Sequence, residues 1–282
     1  MPYLTESLPL PEHIFSLLRD LIHERLGLNY DVERRDILRD RLAPLVAEHN
    51  LDSFMDYYYL LKYDIDSQEE WKRVQTALAV RETYFWREVD QICLAAQELV
   101  PAMQKQNPGK PVRIWHAACA SGEEPYSMAI ALQESGCFER GPIEILGTDF
   151  DQVSLRMARD AVYRERSFRT LPPNLRQKYF TEHGNGMTKL KEEIGSKVNF
   201  AYLNLMDQTA MQAMSGFDII FCRNVFIYFS DSTIKLVTDH FYRALKDPGY
   251  LFLGAAESLL RVPTHFRFTE MSKCLVYVKN MA

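Results

Sequence analysis

Cysteine is sparse in this 282-residue chain and never paired by spacing. Cys93, Cys119, Cys137, Cys222 and Cys274 form an odd, scattered set without a CxxC. That argues against a disulfide framework and against a thiolate zinc site. The seven histidines are equally dispersed, with no HxxxH or HExxH, so no metal is expected. No apolar run approaches the roughly 18 residues of a membrane span, and the N-terminus lacks a basic-apolar leader pattern. The expectation is a cytoplasmic chain with no direct membrane insertion. Positive charge is also short: 33 Lys and Arg against 38 Asp and Glu leave a net charge of -5. A broad attraction to nucleic acid is therefore not expected.

Glycine is short where it would matter most. The stretch "WHAACASGEEPYSMAIAL", Trp115 to Leu132, reads as strand, tight loop and helix, yet holds one glycine, Gly122, where a dinucleotide fingerprint carries three. It also places Glu123 and Glu124 where a phosphate would be repelled. A cationic cofactor suits such a loop better, and S-adenosylmethionine carries both an ammonium and a sulfonium. A second reading stays open, in which Ser121-x-x-Glu124 is a capping box with Pro125 just inside the helix.

What is present divides into two grammars. "PEHIFSLLRDLIHERLGLNY" sets Ile14, Leu17, Leu18, Leu21 and Ile22 on one helical face, with Gly27 as a stop. "VERRDILRDRLAPLVAEHNL" carries a stripe of Leu38, Leu42, Leu45 and Val46, and "SFMDYYYLLKYDIDSQEEWKRVQTAL" completes a helical set. From about residue 112 short apolar runs alternate with amphipathic segments: "VRIWHAA", "IEILGTD", "VNFAYLNL", "FDIIFCRN" and "YLFLGAAE". Strands separated by helix-length segments imply a mostly parallel, doubly wound α/β sheet, with "FRFTEMSKCLVYVKN" as a last antiparallel pair. The expected organisation is a small N-terminal helical domain over 1–78, a linker over 79–90, and an α/β domain over 91–282. A small inserted subdomain is expected at about 164–197, punctuated by Pro172, Pro173, Gly184 and Gly186.

Chemistry is expected at the carboxyl ends of the strands. Asp149 ends the second strand in "GTDFD", where a carboxylate accepts hydrogen bonds from ribose hydroxyls, while Asp151 is placed to cap the next helix. Arg223 and Asn224 end the fourth strand, and Tyr228 follows four residues later. An unpaired buried guanidinium is costly, so the Arg-Asn pair reads as functional. "RETYFWRE", Arg81 to Glu88, joins the two parts and is read as contributing to the site.

Together "ASGEEPYS", "TDFD", "FCRNVFIYF" and "GYLFLGAAESL" resemble the chemotaxis receptor methyltransferases, the CheR family of protein-glutamate O-methyltransferases. The resemblance covers nearly the whole chain. It implies a Rossmann-like S-adenosylmethionine-dependent methyltransferase domain with a helical N-terminal domain and a β-subdomain insert. It further implies that Thr83, Arg87, Glu124 and Asp149 contact the cofactor, that Asn204 and Leu205 flank its adenine, and that Cys222, Arg223 and Asn224 lie under its methionine half. Arg87, Arg223 and Tyr228 would border the substrate carboxylate. Arg81 stands where the family usually has Asn, so its side chain points to solvent or only its backbone touches the cofactor.

The implied reaction methylates glutamates on the cytoplasmic domain of transmembrane chemoreceptors, giving methyl esters and S-adenosylhomocysteine, with the enzyme expected to act as a monomer. A glutamate with a reference pKa near 4.3 is already a nucleophilic anion, so no general base is required. Arg34, Arg35, Arg39 and Arg41 are candidates for receptor recognition, although Glu33, Asp36 and Asp40 interleave them and a self-paired solvated face stays open. Some family members tether a receptor pentapeptide on the β-insert. The "TEHGNGM" loop is shorter than theirs, so a non-tethering enzyme is expected. The alternatives are an inactive cofactor-binding module that docks on receptors, and a methyltransferase for another substrate.

Overall fold

A computed structural model describes residues 8–65 and 67–279. Apolar spacing at three and four residues folds the N-terminal part into α1 (Glu12–Leu26), α2 (Arg35–Glu48), α3 (Phe54–Tyr63) and α4 (Ser67–Leu78). The α1 face holds Ile14, Leu18, Leu21 and Ile22 as expected, but Phe15 is buried and Leu17 is exposed. The stripe therefore sits slightly rotated from the one read in the sequence. α1 stops at Gly27, whose left-handed φ of 75° lets its N–H return to the His23 carbonyl. On α2 all four expected residues are buried. Ser53 caps α3 by accepting the Asp56 N–H.

The chain then crosses residues 79–88 into α5 (Val89–Leu94), a π-helical turn (Ala95–Leu99) and α6 (Val100–Gln106). Next come β1 (Val112–Ala117), α7 (Glu123–Glu134), α8 (Cys137–Arg140), β2 (Ile143–Asp149) and α9 (Gln152–Asp160). An antiparallel sheet follows from β3 (Val162–Arg164), β4 (Phe180–Gly184) and β5 (Met187–Leu190), in the order β3-β5-β4, with α10 (Pro173–Tyr179) between its first two strands. After α11 (Glu192–Gly195) the large sheet resumes with β6 (Val198–Tyr202), α12 (Gln208–Ala213), β7 (Phe217–Cys222), α13 (Asp231–Ala244), β8 (Leu245–Leu253), β9 (Arg267–Met271) and β10 (Cys274–Lys279).

The large sheet has the order β6-β2-β1-β7-β8-β10-β9. Its first five strands are parallel, and β10 and β9 close the edge antiparallel, as the sequence led one to expect. Alternation along each strand builds two cores. Ile114, Ile145, Ile219, Phe221 and Phe252 face one side, and Trp115, Ile220, Leu251 and Tyr277 face the other. Each such fully buried side chain contributes about 1.5–3 kcal/mol of transfer free energy. The chain runs outward from β1 through β2 to β6, then crosses back to β7 on the other side of β1. That reversal opens a crevice above the carboxyl ends of β1 and β7.

Candidate functional site

The crevice is lined by residues of the helical part, the linker and the strand ends of the α/β domain. Its floor is the loop after β1. Ala118, Ala120 and Gly122 all have positive φ, at 57°, 48° and 90°. Every second residue is therefore left-handed, the conformation that glycines supply in a dinucleotide fingerprint. Two alanines adopt it here although it costs an L-residue about 1–2 kcal/mol. At Gly122 a Cβ would sit 2.9 Å from the Ala158 Cβ, so only this position excludes a side chain by contact as well.

The two loop acids part company. Glu123 turns into the protein, accepting from Ser121 Oγ at 2.7 Å and Ser167 Oγ at 3.0 Å, and burial raises its pKa. Glu124 lines the crevice. The capping box does not form: the N-cap of α7 is Gly122, without a side-chain cap. Instead Glu124 Oε2 accepts from Arg223 Nε at 2.7 Å, and Oε1 lies 2.7 Å from His116 Nδ1. Burial works to raise its pKa, but the Arg223 charge and the His116 hydrogen bond outweigh burial and bring it to about 2.

Arg223 is almost wholly buried, 1% exposed, and is fully engaged. Besides Glu124 it donates to the carbonyls of Glu88 and Arg87, at 3.0 and 2.9 Å, and to Gln91 Oε1 at 3.3 Å. Its guanidinium therefore fixes the linker to the loop after β1. It lines the crevice with Arg87 and Tyr228, but its donors are already spent on protein acceptors. The neighbouring turn hangs on a residue that sequence reading passed over. Glu257 accepts four backbone N–H groups, from Asn224, Val225, Phe226 and Gly254, at 2.6–2.7 Å. At Gly254 a Cβ would lie 2.7 Å from both Asn224 Nδ2 and Glu257 Oε2, which explains the glycine. Glu88, also missed, accepts from Ala255 N at 3.1 Å and Asn224 Nδ2 at 3.3 Å. Glu257 lies inside the quoted "GAAESL", but nothing in its spacing marks a carboxylate that collects main-chain donors.

Asp149 ends β2 and lines the crevice. Its oxygens accept from Ala120 N and Asp151 N, both at 2.8 Å. Burial pushes its pKa up to about 6, against the lowering effect of those N–H groups. Asp151 caps α9, accepting from Val153 N and Ser154 N, as expected. Arg81 is not among the crevice-lining residues. Its Nε donates to Asp151 Oδ2 at 2.8 Å, so the side chain is held by the α9 cap instead of pointing free into solvent. Cys222 is also not a lining residue. Strand parity aims it into the core beneath α13, where burial pushes its thiol well up.

Thr83, Arg87, Glu124, Asp149, Asn204, Leu205, Arg223, Asn224 and Tyr228 do converge on the crevice. Asn204 spends its side chain elsewhere, donating to Arg25 O at 2.8 Å and accepting from Met206 N at 3.0 Å. The linker both packs into the core and lines the crevice. Phe85 is fully buried and stacks on Phe168 at 5.4 Å, while Thr83, Tyr84 and Arg87 face the crevice. The helical part supplies walls that the sequence did not reveal: Leu26, Leu28, Leu78, Ala79 and Val80.

The arginines of the α2 region diverge. Arg39 is paired with Asp36 and Asp40, and Arg34 lies 3.9 Å from Asp31. Arg41 donates to the carbonyls of Ala77, Leu78 and Ala79, capping the end of α4. Arg35 is half-buried, and no hydrogen bond or ion pair engages its side chain among the described residues. No helix among the described residues is long and apolar enough to cross a membrane.

A family model described as "CheR methyltransferase, SAM binding domain" matches residues 81–275, and one described as "CheR methyltransferase, all-alpha domain" matches residues 13–79. The chain is similar to Chemotaxis protein methyltransferase 2 of Vibrio cholerae serotype O1, with 34% identity over 266 residues, 94% of this chain and 92% of that one. It is 32% identical over 269 residues to Chemotaxis protein methyltransferase 1 of Pseudomonas aeruginosa, covering 93% and 96%. A third relative, the Chemotaxis protein methyltransferase of Klebsiella aerogenes, is 33% identical over 267 residues, covering 93% and 89%.

Proposed function

The chain belongs to the CheR methyltransferase family, and from that premise we propose that it methylates glutamate side chains on chemoreceptors, forming methyl esters. S-adenosylmethionine is its methyl donor and, when bound, supplies an electrophilic methyl group on a positively charged sulfur. The crevice suits a cation: Glu124 is ionised on its floor, and Asp149 keeps lone pairs beyond those given to Ala120 and Asp151. Asp149 would hold the ribose hydroxyls, Glu124 the ammonium, and the main chain at 203–205 would border the adenine. Arg223 serves by fixing Glu124 and the linker.

One observation carries the acceptor side. Arg87 lines the crevice, makes no ion pair with a carboxylate among the described residues, and donates to the Glu82 carbonyl at 2.9 Å. It is a guanidinium left for an incoming anion, with Tyr228 lining the same crevice. Arg87 or Tyr228 would hold one oxygen of the target glutamate and leave the other free toward the donor's methyl group. Gripping both oxygens would blunt the nucleophile. Because the acceptor is already ionised, these residues orient it and exclude water without taking a proton. The neutral ester loses its attraction to Arg87 and departs. The hairpin turn at Gly184, Asn185 and Gly186 is short, in keeping with the non-tethering reading.

The test is transfer of radiolabelled methyl to receptor-rich membranes. Label released as a volatile product in mild base is the expected result. Label that survives base, or no transfer by active protein, rules the glutamyl ester out.

A further inference from the structure

β1 carries a histidine on a face whose other members, Val112 and Ile114, are apolar. The His116 ring is wholly buried and lies flat on Phe221, with centroids 4.9 Å apart and planes 10° apart. Phe221 stacks in turn on Phe252 at 4.6 Å. A slot of this shape would take a phenylalanine, whose ring brings no polar atom of its own into the stack. Histidine leaves Nε2 with no hydrogen-bond partner among the described residues, a bare buried nitrogen that a hydrocarbon ring would not have.

The other ring nitrogen gives the reason. Nδ1 lies 2.7 Å from Glu124 Oε1, while Glu124 Oε2 is held by Arg223 Nε. An ionised Glu124 accepts, so Nδ1 donates, and the neutral ring is the Nδ1–H tautomer with its lone pair on Nε2. A second proton on Nε2 would meet no acceptor; burial, with Arg223 nearby, keeps the ring neutral. With Arg223 Nε as sole partner, Glu124 would be free to turn about that one contact and carry Oε1 away from the crevice. A donor on Oε1 prevents that.

We propose that His116 is a positioning residue for the donor site: as a neutral Nδ1–H donor it keeps Glu124 turned to receive the ammonium of S-adenosylmethionine. This rests on the role given to Glu124 above. Calorimetry on the full chain compares the wild type with His116→Phe, which keeps the stack and deletes the donor, and His116→Asn, whose amide N–H can replace Nδ1. S-adenosylhomocysteine and S-adenosylmethionine should bind His116→Phe about 10-fold more weakly, the low end for losing an orienting partner. His116→Asn should recover most of that affinity, and in turnover KM for the donor should rise far more than kcat falls. 5′-Methylthioadenosine, a nucleoside without the amino acid, should bind both proteins equally. Equal loss for this probe makes His116 merely structural and overturns the assignment, as does an unchanged affinity of His116→Phe for S-adenosylhomocysteine. Failure of the wild type to bind either cofactor form overturns the reading of the crevice and this role with it. Nitrogen NMR of the wild-type ring needs no variant: a protonated Nδ1 and bare Nε2 at neutral pH are expected, and a proton on Nε2 overturns the tautomer.

Discussion

Asp149 is buried and Glu124 largely so, and their titrations run in opposite directions. The folded pKa of Asp149, about 6, lies above its ordinary 3.8. The folded state therefore binds this proton more tightly, and the group's contribution to stability falls as pH rises from 3.8 through 6, by about 3 kcal/mol in all. Glu124 has a folded pKa of about 2 against 4.5. Its contribution, of similar size, is fully present above 4.5 and is lost as pH falls through 2. The proposed ribose contact requires the ionised Asp149. Cofactor Kd should rise about 10-fold per pH unit below 6 in calorimetric titrations, and Asp149→Ala should be weak and flat across that range. A wild-type Kd that is flat from pH 7 to 5 would remove Asp149 from the ribose contact. Ala120 allows a milder test. Glycine relieves about 1–2 kcal/mol of left-handed strain but loosens the unfolded chain by about 0.5–1 kcal/mol, so Ala120→Gly should raise the melting temperature slightly and retain binding. A clear loss of stability would mean that the methyl group matters more than the strain.

Among the elements, the turn after β7 is held by one carboxylate. Glu257→Ala leaves four main-chain donors without their acceptor and should cost about 3 kcal/mol in urea unfolding, with loss of cofactor binding. Loss of less than 1 kcal/mol would mean that water replaces the carboxylate readily. On α2 the arginines are no longer equivalent. Arg35→Glu should raise the receptor KM roughly fivefold, the effect of a rim charge, without changing cofactor affinity. Arg39, spent on Asp36 and Asp40, should matter less. A KM unmoved by Arg35→Glu would assign this face to solvent. Part of this partition was legible from spacing, since Arg39 pairs with Asp36 and Asp40 beside it in the chain, whereas only folding brings the carbonyls of Ala77, Leu78 and Ala79 to Arg41.

At the scale of the whole molecule, the helical part closes the crevice instead of standing apart from it. Asn29 N–H donates to the Tyr228 carbonyl at 2.7 Å, His23 bonds Ser230 Oγ at 2.9 Å, and Asn204 reaches back to Arg25. Gly27 fits where a Cβ would lie 2.8 Å from Thr233 Cγ2 and 2.9 Å from Met206 Sδ. Gly27→Ala, strained in φ and in contact, should lower stability by about 2 kcal/mol and weaken the cofactor, although no Gly27 side chain exists to touch it. Unchanged cofactor affinity in a destabilised Gly27→Ala would mean that the crevice forms without this docking.

Local chemistry was readable in advance wherever period and strand ends carry the information. Apolar alternation revealed the parallel strands, and the ends of those strands revealed Asp149, Glu124 and Asn224, because both follow from neighbours along the chain. Contacts between residues far apart in the chain were settled only on folding. They tied Arg81 to Asp151, spent Arg223 on the linker, and brought Glu257 to the turn after β7 and His116 to Glu124. Alanine bears no mark of a left-handed backbone, and a charged side chain bears no mark of its partner, so only packing could decide which of these groups face the crevice.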